Sequence, residues 1–128
     1  MAGTQRILIV DDEPAILFAY RKLFERENMV VDTSGSLNDA LSLISMRPYS
    51  AVVADVRLAG TSNADGLQVL LSIQEKQAGV RVVLVTGNCD EKTRLKALEL
   101  GASHYFEKPV APAAILAALI GVPGVATD

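Results

Sequence analysis

The chain is 128 residues long and half apolar, with 12 basic and 15 acidic side chains and a formal net charge of −3. This length and a mean hydropathy of +0.29 fit one globular domain with a real core and exclude a disordered chain. Scattered Lys and Arg argue against a nucleic-acid surface. A single cysteine, Cys89, cannot form an internal disulfide, and no signal-peptide pattern or membrane-length apolar run is present, so a cytoplasmic protein is expected.

Ile7-Leu8-Ile9-Val10 reads as a buried parallel strand over 6–10 and runs into Asp11-Asp12. Pro14 suits a helix's first turn, and Ile16, Tyr20, Leu23 and Phe24 share one face out to about Glu27. Val30-Val31-Asp32-Thr33 is a short second strand. Gly35-Ser36 punctuates it, and Leu37, Ala40, Leu41 and Ile44 give the second helix its stripe, closed by Pro48. The third strand, 51–54, runs into Asp55. Residues 59–66 are a loop by composition. Leu67, Leu70, Leu71 and Ile73 form the third helix, and the fourth strand, 81–85, leads to Thr86. A fourth helix from about Glu91 to Leu100 stops at Gly101. The fifth strand, 104–107, ends at Lys108-Pro109, and a fifth helix covers roughly 112–120. This alternation implies a parallel sheet with helices on both faces, while strand order is not given by the pattern.

In such a sheet the functional site lies beyond the carboxyl ends of the strands. Asp11, Asp12, Asp55, Thr86 and Lys108 all follow strand ends and converge on one edge. Three crowded carboxylates call for a cation, and oxygen-only ligands suit Mg²⁺ or Mn²⁺. One His and one Cys put a zinc site out of reach. A carboxylate beside such a cation can attack phosphorus, and Asp55, alone at the end of the central run, is the best-placed nucleophile. Lys108 supplies a positive charge and Thr86 a hydroxyl for phosphoryl oxygens.

With Ile9-Val10-Asp11-Asp12-Glu13-Pro14, Val52-Val53-Ala54-Asp55-Val56-Arg57-Leu58, Asp65-Gly66-Leu67, Val85-Thr86-Gly87 and Gly101-Ala102-Ser103-His104-Tyr105-Phe106-Glu107-Lys108-Pro109, the chain resembles a receiver domain of a two-component response regulator. Each motif alone is weak; five in this order are specific. The resemblance implies a flavodoxin-like (βα)5 fold, a doubly wound parallel five-stranded sheet in the order 2-1-3-4-5 with helices on both faces. It implies a receiver domain over 1–121, with 122–128 a tail or the start of a linker. Asp55 matches the phosphoacceptor. Asp12 matches a direct Mg²⁺ ligand and Asp11 one acting through water, with Asp55 and the Arg57 backbone carbonyl completing the metal set. Thr86 matches the hydroxyl that moves to the phosphoryl group, Tyr105 the aromatic rotamer switch and Lys108 the phosphoryl-binding lysine. The Lys108–Pro109 peptide is expected to be cis. The implied partners are a sensor histidine kinase or phosphotransfer protein and a downstream protein or output domain. The reading surface is that of helix four, strand five and helix five, with no direct nucleic-acid or membrane binding.

Two departures bear on the site. Leu58-Ala59 stands where the family has Met-Pro, and the stretch from Asp55 to Asp65-Gly66 is about three residues longer than usual. In the family, the residues at Arg57 and Asn88 line the path of the hydrolytic water, so the bulk of Arg57 implies slow autodephosphorylation. The competing enzyme reading is a Mg²⁺-dependent phosphohydrolase of the haloacid dehalogenase type. That family wants an Asp where Arg57 stands, so no turnover of external substrates is expected. A flavodoxin-like nucleotide binder would want a Gly-rich loop where Asp11-Asp12-Glu13-Pro14 stands.

Between Pro109 and Thr127 there is no charged residue, and the fifth helix is apolar around its circumference. Two readings stand side by side: an alanine-rich helix exposing only methyl groups, or a face covered by a second copy or a partner.

Overall fold

The structure, a computed structural model, describes residues 5–56, 65–77, 79–87 and 91–120. Five strands alternate with five helices: β1 Arg6–Val10, α1 Pro14–Glu25, β2 Val30–Ser34, α2 Leu37–Met46, β3 Ala51–Asp55, α3 Asp65–Lys76, β4 Arg81–Thr86, α4 Glu91–Glu99, β5 His104–Glu107 and α5 Pro112–Ile120. The strands are all parallel in the order β2-β1-β3-β4-β5, as expected. β3 is buried at every position and lies between β1 and β4, so its last residue, Asp55, emerges at the middle of the sheet edge.

Alternate residues of each strand feed opposite faces. Leu8, Val10, Val52, Ala54, Val82 and Leu84 pack with Ile44, Leu70 and Ile73 on one side. Ile7, Ile9, Val53, Val83 and Val85 pack with Phe24, Ile115 and Leu119 on the other. Local chemistry sets the helix starts: Pro14 opens α1, and the Ser36 hydroxyl accepts the Asp39 N–H at 3.2 Å as the cap of α2. Gly101 ends the α4 turn at φ +107°, a backbone region that favours glycine.

Several boundaries differ from the sequence expectation. α1 stops at Glu25 rather than near Glu27, because the chain turns through Asn28 at φ 65°. Asp55 and Thr86 are the last strand residues rather than the first beyond. α3 begins at Asp65, inside the stretch read as loop, and Leu71 is 48 % exposed instead of joining the apolar stripe. In α5, Ile115, Ala118 and Leu119 are buried, Leu116 and Ala117 are half-buried, and among the side chains described Pro112, Ala113 and Ala114 are exposed. Small side chains face solvent at the start of that helix. Arg57, the 59–64 part of the loop, Asn88, Cys89 and the 122–128 tail lie outside the described residues.

Polar contacts pin the helices to the sheet. The Arg81 guanidinium donates to the Ala118 and Leu119 carbonyls at 3.0 and 3.1 Å, satisfying acceptors that the end of α5 leaves without helical partners. On edge strand β2, Asp32 accepts from Tyr49 Oη at 2.7 Å, Arg47 at 3.1 Å and Arg6 at 3.4 Å. Among the described residues no helix is long and apolar enough to cross a membrane.

Candidate functional site

Four of the strands and their following loops deliver the site. Asp11 follows β1; its N–H donates to the Ser34 carbonyl at 3.0 Å, and its Oδ1 accepts the Glu13 N–H at 2.9 Å. That second bond fixes the carboxylate at the turn into α1. Asp55 ends β3 and is 8 % exposed. Thr86 ends β4, is 2 % exposed, and its carbonyl accepts the Lys108 N–H at 2.7 Å. This backbone bond holds the residue after β5 against the end of β4. The Lys108–Pro109 peptide is cis, as expected.

The side chains then meet. Carboxylate oxygens of Asp11, Asp12 and Asp55 lie within 4.8 Å of one another; Asp12 is exposed and the other two are buried. Lys108 Nζ donates to Asp55 Oδ2 at 3.0 Å and to Asp11 Oδ2 at 3.3 Å. Burial pushes the Asp11 carboxyl above its usual value, and the Asp55 charge adds to this, against the Glu13 N–H and Lys108. For Lys108, burial alone would lower the ammonium. The bond to Asp55 and the charges of both aspartates outweigh it and hold the pKa above the ordinary lysine value. One ammonium against three carboxylates leaves excess negative charge at the edge. Hard oxygen donors at this spacing fit a hard divalent cation such as Mg²⁺ or Ca²⁺.

Tyr105 is half-buried on β5 and packs against the cluster built on Leu8, Val52 and Leu84. The structure therefore brings together Asp11, Asp12, Asp55 and Lys108, with Thr86 at the end of the adjoining strand. The Arg57 carbonyl is outside the described residues. Sequence reasoning took Tyr20 only as a helix-face residue. Its ring, 8 % exposed, lines an apolar cavity shared with Lys108. The i, i+4 spacing of Ile16 and Tyr20 was the available signal, but periodicity does not separate core from cavity wall.

A parallel sheet with an acidic cluster and a lysine at its carboxyl edge defines an α/β domain built for phosphoryl chemistry. Residues 7–120 match the response regulator receiver domain family, and the chain belongs to it. It is 34% identical over 118 residues to the acid tolerance regulatory protein ActR of Rhizobium meliloti (strain 1021), covering 92% of this chain and 59% of that protein. The chain thus spans less than two thirds of that relative's length. A CheY-like response regulator receiver domain protein from Methanospirillum hungatei JF-1 superposes with a TM-score of 0.85 at 27% identity, covering 93% of each chain. A response regulator from Burkholderia pseudomallei, whose structure holds a phosphorylated aspartic acid, a calcium ion and citrate, superposes with a TM-score of 0.81 at 25% identity, covering 90% of this chain and 66% of that one. The chain is a receiver domain of two-component signalling, and the haloacid dehalogenase alternative finds no support.

Proposed function

We propose that Asp55 accepts a phosphoryl group from a sensor histidine kinase or phosphotransfer protein, and that the phosphorylated domain acts through its α4–β5–α5 surface. The observation that carries this reading is the Lys108 ammonium 3.0 Å from Asp55 Oδ2, beside three carboxylates within 4.8 Å of one another. A nucleophilic carboxylate, a phosphoryl-binding cation and an acidic metal seat are the parts phosphoryl transfer needs.

The ion would be Mg²⁺ in this reading, with Mn²⁺ able to substitute; Asp12 and Asp55 would hold it directly, Asp11 would act through water, and the Arg57 carbonyl would complete the set. When bound, it neutralises charge on the transferring phosphoryl group. An Asp55 oxygen attacks phosphorus as the bond to the donor breaks. Lys108 turns its ammonium from the free carboxylate to a phosphoryl oxygen. The Thr86 hydroxyl donates to another, and Tyr105 turns into the space Thr86 leaves. Phosphorylation turns a carboxylate of charge −1 into an aspartyl phosphate of nearly −2 with strong acceptor oxygens at a buried edge, a perturbation large enough to bias a two-state surface. The domain is a cytoplasmic signalling module rather than an enzyme acting on external substrates. Its output lies in a downstream protein or a further domain, consistent with a relative longer than the match. The receiver unit is 1–121, with 122–128 a tail or linker.

Intact mass after incubation with Mg²⁺ and acetyl phosphate or phosphoramidate tests the reading. One added phosphoryl group, absent in Asp55→Asn, is the expected result. Unchanged mass with both donors, or equal gain in the variant, would overturn it.

A further inference from the structure

His104 opens β5 and sits on the α5 side of the sheet, because it pairs with Val83, which packs in the slab of Ile115 and Leu119. Its ring is half-buried and stacks on Phe106, with planes 3° apart and centroids 5.9 Å apart. Its Nδ1 is buried and has no hydrogen-bond partner among the described residues. Arg81 precedes Val83 by two positions on β4 and so shares that side. Its guanidinium donates to the Ala118 and Leu119 carbonyls at 3.0 and 3.1 Å and closes the end of α5. α5 itself carries no charged residue. α4 packs over the opposite face with Tyr105, and Glu107 alternates onto that face as well. Among the described residues, Arg81 is thus the charged group that bears on the His104 ring.

We propose that His104 and Arg81 form a proton-sensitive latch on α5: a proton on the His104 ring drives the Arg81 guanidinium off the Ala118 and Leu119 carbonyls and loosens the last turn of α5. The α4–β5–α5 surface would then respond to mild acid as well as to a phosphoryl group, whatever Asp55 does. A neutral ring with its hydrogen on Nε2 leaves only a lone pair at Nδ1. A second proton, taken from solvent, makes Nδ1 a cationic N–H that is buried without an acceptor and stands near a fixed positive charge. The ring is held by Phe106 and by the β5 backbone, whereas the guanidinium ends a long flexible stem, so Arg81 is the group that moves. Burial and the Arg81 charge both push the His104 ring below the ordinary histidine value. Opening the end of α5 returns the ring toward that ordinary value. The closed latch is therefore complete above the ordinary histidine range and weakens as pH falls through it, levelling off below the lowered value. Each unit by which the ring titrates below the ordinary value allows up to about a tenfold rise in α5 opening in acid.

The test combines two measurements on the full chain without phosphodonor. His104 is the single histidine, so its ring protons can be titrated by NMR without overlap. The midpoint is expected below the ordinary histidine value, and Arg81→Met should raise it. Hydrogen exchange, corrected for intrinsic rates, is then compared at about pH 7.5 and about pH 5.5, on either side of the ordinary value. The last α5 amides should lose protection in acid, by the factor that the measured midpoint sets, while β3 amides hold theirs. His104→Phe keeps an aromatic ring for Phe106 and removes the titration. In that variant the acid loss in α5 should disappear, although Asp11, whose carboxyl is also pushed up, still titrates. A midpoint at or above the ordinary value overturns the latch. So does an α5 protection that acid leaves unchanged, or one that falls in step with β3. A folded His104→Phe that keeps the full acid loss overturns it as well. The titration and the exchange of the unaltered chain decide the matter even where the variant does not fold.

Discussion

Replacing Lys108 by Met keeps most of the stem and removes the ammonium. That ammonium lies 3.0 Å from Asp55 Oδ2 and 3.3 Å from Asp11 Oδ2. At an effective dielectric of about 20, such a contact is worth about 5 kcal/mol gross, and each pair of carboxylates within 4.8 Å repels by about 3 kcal/mol. Desolvation offsets much of the attraction, and 26% exposure of the Lys108 side chain screens it further. A net loss of about 2 kcal/mol remains, or about 8 °C in Tm for a domain of this size. The Lys108 pKa is raised, so its contribution is complete at neutral pH and fades only as pH rises past the ordinary lysine range. The loss should appear in full in EDTA. In millimolar Mg²⁺ the bound ion supplies positive charge at the same carboxylates, so the variant should gain more in Tm than the original chain, and the gap should narrow. Thermal melts followed by circular dichroism, with and without the ion, measure both effects. Equal melting of the two chains in EDTA, or a gap that Mg²⁺ leaves unchanged, would refute the electrostatic account.

Asp32→Asn tests the edge-strand cluster. Burial pushes the Asp32 carboxyl up, but the Tyr49 hydroxyl and the charges of Arg47 and Arg6 outweigh it and hold the pKa below its usual value. Stability from the charged form is therefore present above about pH 4 and lost as pH falls through the lowered value, so a deficit of about 1–2 kcal/mol at neutral pH should close in acid denaturation series. Gly101→Ala meets two obstacles, φ +107° and the Gln74 side-chain amide in the path of the new Cβ. It should cost about 1–2 kcal/mol, and adding Gln74→Ala should recover little of it because the backbone is the larger cost. Arg81→Met strips two donors from the end of α5, and hydrogen exchange of α5 amides should speed up while β3 amides hold their protection.

The sheet and the convergence of the aspartates were legible because both follow from short-range pattern. Apolar runs of Val, Ile and Leu mark buried strands, and a polar residue at the end of each must lie on the carboxyl edge. Strand order came from the family resemblance, since periodicity carries no information about which strands pair. The start of α3 was missed because Asp65-Gly66 has loop composition, yet α3 packs Val69, Leu70 and Ile73 fully into the core and draws the preceding turn into the helix. Leu71 read as core because it is apolar, although it falls on the outer side of that helix. The Lys108 contacts join residues 97 and 53 positions apart in sequence, and no local signal reports such a distance. The polar anchors at Asp32 and Arg81 were invisible for the same reason.

The sheet is also a partition. Val52 and Ala54 of β3 belong to one apolar slab, and Ala51 and Val53 belong to the other. Core substitutions on opposite sides share few neighbours, so their costs should add, while substitutions within one slab should couple. Either slab can then be redrawn almost independently in a laboratory library, for example around Ile44 and Ile73 or around Phe24 and Ile115. β3 is the exception. Every one of its residues is walled in, and any shift that accommodates a new neighbour on one side moves the other side and Asp55 with it. Tolerance to sequence change should therefore be lowest along those five positions, for mechanical reasons that would hold even if the carboxylate at their end did no chemistry.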